Sequence, residues 1–310
     1  MNPLSSRKYY RSLDPLLPPA ALARRPPWRE IFGREAPIDL EIGFGNGERL
    51  HRASLAAPER DFVGLEISWP SVKRALRRLG NPPRRNARLV CMPAAPALSL
   101  LFPEESLAEA LALFPVPWPK VRHERKRLFS RAFLDLLASR LEGSGRFRMA
   151  TDDPSLAAWT LAQSEGSALP LTLSELAGGL DTKYGRKWES LGARSFFHLE
   201  GVKARHPVIP CHGPMDMQPT FLASLEPGSY NPAGISGETA VVFREFIFDP
   251  ARREGLLSAK VVEGDFIQEF FIRLRPDPDG RWRLYPAFPH LVFPTEGVRK
   301  ALELAAADGG

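Results

Sequence analysis

The chain has 310 residues, 44% hydrophobic and 25% charged, a balance that fits a folded globular protein of up to two domains and excludes a disordered or membrane-embedded one. Its formal net charge is +6 and its pI about 9.5, so polyanions are the natural partners to consider. Two distant cysteines, Cys91 and Cys211, rule out a disulfide framework, no apolar run nears the roughly 20 residues of a membrane span, and the opening "MNPLSSRKYYRSLDPLL" has no export pattern, so a cytoplasmic protein without a membrane partner is expected.

In chain order, a basic N-terminal arm comes first, with Arg7, Lys8, Arg11, Arg24, Arg25 and Arg29. From Ile38 to about Ala150, "IDLEIG", "DFVGLEI", "NARLVC", "EALALF" and "GRFRMA" read as strands that alternate with amphipathic segments. That alternation predicts a mostly parallel sheet covered by helices, an α/β fold. "WPSVKRALRRLG" predicts a helix with Val72, Ala75, Leu76 and Leu79 inward, Lys73, Arg74, Arg77 and Arg78 outward, and a stop at Gly80. Between Ile67 and Pro103 there are seven basic residues and no acid. Clusters of this kind suit nucleic acid, because phosphate contacts supply most non-specific affinity.

"LFPVPWPKVRHERKRL", Leu113 to Leu128, interleaves three prolines with Phe114, Val116 and Trp118 and then turns strongly basic. The first part predicts a stiff loop, in which Trp118 either borders a site or caps the core. "ERKRLFSRAFLDLLASRLEGSG" predicts a further helix that packs Leu128, Ala132, Phe133, Leu136, Leu137 and Leu141 inward and ends at Gly143. From Lys203 to Gly237 six prolines and four glycines break every period, which predicts a linker or an irregular packed loop. "HPVIPCHG" there gathers His206, Cys211 and His212, but further metal ligands are missing and no metal is expected. Four strand-like runs and the helix "GVRKALELAAA" then predict a smaller antiparallel α+β domain. The expected domains are 1–204, a linker over 205–237, and 238–310.

"LEIGFGNGERL" places Gly43, Gly45 and Gly47 between the first strand and a helix, where glycines allow close approach of a ligand to backbone N–H groups. Glu66 ends the second strand 21 residues after Gly45, where an acid would meet the hydroxyls of a ribose. The spacing is G-x-G-x-G rather than G-x-G-x-x-G, and Glu41 precedes it. A carboxylate there suits the cationic S-adenosyl-L-methionine better than a pyrophosphate.

"DLEIGFGNG", "FVGLEIS", "LFPVPWPKVRHERKR", "MATDD" and "TKYGRKWESLG" together resemble the tRNA (guanine-46-N7)-methyltransferase family, over about Ile38 to Gly201. The resemblance implies a Rossmann-like class I methyltransferase domain with helices on both faces of its sheet. It also implies methylation of guanine N7 at position 46, in the variable loop of tRNA. On that basis Glu41, Gly43, Phe44, Gly45, Gly47, Glu66, Pro93 and Ala94 would bind S-adenosyl-L-methionine, and Lys120, Arg122, Arg125, Asp152, Thr182, Lys183 and Tyr184 would bind substrate, with Asp152 catalytic. Members usually carry acids where this chain has Pro93, Val116 and Gly185. Two alternatives therefore stand beside an active enzyme: a relative that binds tRNA without transferring methyl, and a methyltransferase of another substrate. Among the local readings, Tyr184 and Trp188 either stack on a base or pack a strand, and Asp152 either serves the site or caps the next helix. Arg244, Arg273, Arg275, Arg281 and Arg283 suggest that the second domain extends the tRNA surface or steadies the first. The sequence leaves monomer and homodimer both open.

Overall fold

The computed structural model describes residues 12–22, 27–80, 83–176, 196–209, 217–264 and 266–307. Two compact units form, Met1–Leu17 with Pro27–His212, and Pro18–Pro26 with Gly213–Gly310. Two short helices come first: α1 (Pro19–Leu22), which belongs to the second unit, and α2 (Trp28–Phe32), which belongs to the first.

The first unit is built on a seven-stranded sheet. Its parallel strands are β1 (Ile38–Ile42), β2 (Asp61–Leu65), β3 (Ala87–Val90), β4 (Leu107–Leu113) and β5 (Leu141–Thr151), and β6 (Thr172–Leu176) and β7 (Phe196–Val202) complete it in the order β3-β2-β1-β4-β5-β7-β6. β7 runs antiparallel to both β5 and β6. Every residue of β1 and β2 is buried, as expected of inner strands covered on both faces. The helices between strands are α3 (Glu48–Ala56), α4 (Trp69–Leu79), α5 (Ala94–Leu101), α6 (Arg131–Arg140) and α7 (Pro154–Ser164). Strand order reverses between β1 and β4, and in open sheets of this kind ligands bind outside the carboxyl ends at that reversal. The turn after β1, the end of β2, the loop after β4 and the end of β5 all lie at that rim.

α4 follows the sequence expectation. Val72, Ala75, Leu76 and Leu79 are buried, each larger side chain contributing roughly 1.5–3 kcal/mol, while Lys73, Arg74, Arg77 and Arg78 are exposed. The following helix differs. Val121–Lys126 is a 3-10 turn, and α6 begins only at Arg131, where the Ser130 hydroxyl accepts a hydrogen bond from Phe133 N at 3.4 Å. α6 ends at Arg140 because Leu141 already pairs with Leu107 in the sheet, so Gly143 lies within β5. Its inward stripe is Phe133, Leu134, Leu137 and Ala138. Ala132 is exposed, and Leu128 and Leu136 are half-buried.

The second unit holds a five-stranded antiparallel sheet, β8 (Thr220–Leu222), β9 (Thr239–Asp249), β10 (Glu254–Glu263), β11 (Phe266–Pro276) and β12 (Trp282–Pro286), in the order β8-β12-β11-β10-β9. The closing helix Glu296–Ala307 covers one face, with Val298, Ala301, Leu302 and Ala305 joining Leu257, Val261, Ile272, Leu274 and Leu284 in one core. The stretch expected as a linker over 205–237 divides between the units. Arg205 and His206 are tied to the first unit, through Gly166 O at 2.9 Å and Glu104 Oε2 at 3.2 Å. Residues 217–237 supply β8 and bury Leu222, Leu225 and Tyr230 in the second core, where the Tyr230 hydroxyl donates to Ala305 O at 2.6 Å. Isolated apolar anchors replace a period here, so the sequence pattern does not reveal the packing.

Candidate methyl-donor and nucleic-acid site

The turn after β1 is held from below. Gly43 N donates to Leu65 O at 2.8 Å and Gly47 N to Phe44 O at 2.9 Å. Gly43 and Gly45 adopt φ of +73° and +57° with no heavy atom within 4 Å of where a Cβ would stand. Both leave open space at the rim, and left-handed backbone there would strain any other residue. Gly47 serves differently: a Cβ on it would lie 2.5 Å from Ala75 Cβ, so its bareness lets α3 pack on α4. Phe44, expected at the cofactor, turns its side chain into the core with Leu50 and Phe62. It anchors the turn because an apolar ring is more stable there than at a wet rim.

Glu66 clasps the turn. Its Oε2 accepts from Gly45 N at 3.0 Å, and its Oε1 accepts from Ile67 N and Ser68 N, each at 2.9 Å. A carboxylate has about four lone-pair sites, so Oε2 keeps one free, room for one hydroxyl in this arrangement. Met92 N donates to Glu66 O at 3.1 Å, which sets Pro93 and Ala94, at the start of α5, beside it. Glu41 is only 3% exposed. Its one ion pair is with Arg49 at 3.5 Å, and its Oε2 has no hydrogen-bond partner. Burial pushes its carboxyl up to about 7 against the opposing pull of Arg49.

The proline loop is strained and clamped. Phe114 N donates to Ala150 O at 2.8 Å, yet Phe114 and Trp118 hold φ of +52° and +45°, conformations that cost about 1 kcal/mol or more each and collect at functional sites. Trp118 is half-buried. Lys126 Nζ lies 4.9 Å from its ring centroid and the His123 ring packs edge-on at 5.7 Å. It is therefore sheathed by the basic turn instead of capping the core. The turn is fixed to α7, since Trp159 Nε1 donates to Glu124 Oε1 at 2.7 Å, and Arg127 donates to Pro117 O at 3.0 Å and to Ser155 Oγ at 3.1 Å. Sequence reading overlooks this clamp of Glu124, Arg127 and Trp159. Its one signal is an indole in a helix, which needs an acceptor when partly buried. Lys120, Arg122 and Arg125 remain exposed on the turn.

At the end of β5 the two aspartates divide their roles. Asp153 caps α7, its Oδ1 accepting from Leu156 N at 2.7 Å. Asp152 is half-buried and pairs with none of the described residues. The cap is thus Asp153, and Asp152 has no partner among the described residues. Thr182, Lys183, Tyr184, Gly185 and Trp188 lie outside the described residues, as do Cys211 and His212 and the arm up to Arg11 with Arg24 and Arg25. Among the described residues no group of three or more potential ligands could hold a metal ion, and no helix is long and apolar enough to cross a membrane.

A family model described as "Putative methyltransferase" matches residues 35–197. A tRNA (guanine-N(7)-)-methyltransferase of Thermotoga maritima is 34% identical over 83% of this chain and 84% of its own. The chain belongs to the tRNA (guanine-N7)-methyltransferase family. Proteins of the same name from Chlorobium phaeobacteroides, 35% identical over 61% of this chain and 93% of theirs, and from Deinococcus radiodurans, 32% identical over 79% and 80%, are similar as well. Among solved structures, that of the 16S rRNA methyltransferase KamB aligns with a TM-score of 0.46 at 16% identity, over 57% of this chain and 93% of that one.

The carboxyl rim of this sheet carries Gly43, Gly45, Glu66 and Pro93, with Asp152 at the end of β5. It withdraws the Phe44 side chain and commits Gly47 to packing. α4 starts at the same rim, since Trp69 comes three residues after Glu66, and carries its exposed Lys73, Arg74, Arg77 and Arg78 away from it.

Proposed function

We propose that this chain transfers a methyl group from S-adenosyl-L-methionine to N7 of a guanine in tRNA, at position 46 as the family resemblance suggests. The observation that carries the reading is the convergence at one sheet rim of an open glycine turn, an aspartate that pairs with none of the described residues and a strained loop that hands over to a basic turn. The rim suits a sulfonium nucleoside. Gly43 and Gly45 leave room against their backbone, Glu66 keeps one lone pair for a ribose hydroxyl, and Glu41 lies buried beneath the turn beside Arg49. When bound, S-adenosyl-L-methionine supplies an electrophilic methyl group.

The residues of this chain then have positioning work to do. Guanine N7 has a lone pair and no proton, so no general base is required. Alignment of the reacting atoms can supply about 7–11 kcal/mol, and the rigid loop from Phe114 to Pro119, clamped through Arg127, suits that task. The methylated guanine is cationic. Asp152 is the carboxylate placed to stabilise charge as it develops, an effect typically worth about 3 kcal/mol. It serves where relatives carry an acid at the position of Val116, which here is 64% exposed and apolar. Lys120, Arg122 and Arg125 bind the RNA backbone, joined by the α4 face. Thr182, Lys183 and Tyr184 complete substrate binding in this reading, and the compartment is the cytoplasm.

Incubation of the purified chain with unmodified tRNA and methyl-labelled donor, followed by chemical cleavage at N7-methylguanine, tests the proposal. Label at one guanine is expected. Label at another nucleotide would point to a redirected enzyme, and tRNA binding without label to a non-transferring relative.

A further inference from the structure

We infer that the uncovered face of the second unit's sheet, centred on Arg275, Arg283 and Tyr285, is a second docking platform for the same tRNA, an inference that rests on the function proposed above. One face of this sheet is closed by the helix Glu296–Ala307, and the other divides into two halves of different character. Toward β9 it is apolar and neutralised. Val242 and Ile267 are exposed there, and Lys260 and Arg244 share Glu269 at 3.1 and 3.8 Å.

Toward β8 the face is cationic and aromatic. Arg275 and Arg283 stand directly opposite each other across β11 and β12, Arg273 stands opposite Tyr285, and Arg283 opposite Phe221. Glu254 pairs with both Arg275, at 2.8 Å, and Arg273, at 3.1 Å. Arg283 meets no carboxylate among the described residues and lies over the Tyr285 ring at 5.7 Å. Two of these three guanidinium groups share the one carboxylate, so two positive charges stay unmatched among the described residues. Like charges directly opposed on neighbouring strands destabilise a sheet. A phosphodiester between them would relieve that cost. Next to them Arg281 covers the Phe221 ring at 4.2 Å while paired with Asp279.

Guanidinium planes interleaved with half-buried rings form the surface on which unstacked bases and phosphates bind together. An acidic protein segment would satisfy the charges but not the flat ring faces, so RNA is the better fit. The platform is distinct from the α4 face of the first unit.

The test uses the full chain and tRNA binding across a salt series. Arg283→Gln should weaken affinity about five- to tenfold and lower the log–log salt slope by roughly one phosphate contact. Arg244→Gln removes the same charge from the neutralised half and should change affinity less than twofold. Tyr285→Ala should weaken binding with the slope retained. Equal effects of the two arginine substitutions, or none, would overturn the inference. So would a change in oligomeric mass with affinity intact, which would make the face a contact between copies. Failure of the unaltered chain to bind tRNA would instead remove the proposed function, and this inference with it.

Discussion

The two rims of the first sheet use the same residue types to opposite ends. At the amino rim the buried charges have partners. Arg140 is fully buried and donates to Leu98 O and Ile209 O, each at 3.0 Å. Lys203 Nζ donates to Leu141 O at 2.7 Å and pairs with Glu105 at 2.9 Å, and Arg34 holds Asp61 at 2.7 Å. At the carboxyl rim, among the described residues, Asp152 has no partner and one Glu41 oxygen has no hydrogen bond, and Phe114 and Trp118 hold strained backbone. Satisfied groups stabilise and unsatisfied ones are available for a ligand. Which rim a charge occupies, and not its chemical type, therefore separates structure from function in this chain.

The largest expected effect lies at the amino rim. Arg140→Ala leaves the buried Leu98 carbonyl and the part-buried Ile209 carbonyl unmatched and removes packing, so chemical denaturation should show a loss of about 3–5 kcal/mol. A loss below about 1 kcal/mol would break the contrast between the rims. Next comes Glu41, the buried exception at the carboxyl rim. Its carboxyl titrates at about 7 in the fold against an ordinary 4.5, so the native state binds the extra proton. Stability should accordingly fall as pH rises from about 4.5 to 7, by roughly 3 kcal/mol. Glu41→Gln should flatten that part of the stability–pH profile, and an unchanged profile would show that Arg49 already holds the group ionised.

The aspartate pair sharpens the comparison within a few ångströms of chain. Asp152→Ala should lower the methyl-transfer rate about 10²-fold with unfolding unchanged. Asp153→Ala should cost about 1 kcal/mol of stability as a lost helix cap, with the smaller effect on transfer. Reversal of the two results would mean that the cap, not the free carboxylate, shapes the site. Smallest is Val116→Asp, which should raise the transfer rate up to about tenfold by adding a carboxylate near the developing charge. No change in single-turnover rate would count against the electrostatic role assigned to this loop.

Much of this was legible beforehand where one signal dominated. The strands from β1 to β5 are continuous apolar runs, and the stripe of α4 repeats with the helical period. Sequence alone starts the helix around Arg131 too early, at Glu124, because Leu128 falls in helical period with Ala132, whereas the buried Arg127 side chain reaches Pro117 and Ser155 from the turn before it. Within the site, glycine spacing marked the turn but could not separate Gly45, which opens to the rim, from Gly47, which packs on Ala75, because that difference depends on a residue from another helix.

By itself, the sequence determined the alternation of strands and helices, the glycine turn, the family and the surplus of positive charge. These are local or compositional properties, carried by neighbours in the chain. Only the tertiary structure decided which charges are cancelled. It also decided that Leu222, Leu225 and Tyr230 anchor the stretch from 217 to 237 in the second core. Partners that settle such questions lie tens of residues apart and meet only when the sheet closes, so no window of sequence contains both halves of the answer.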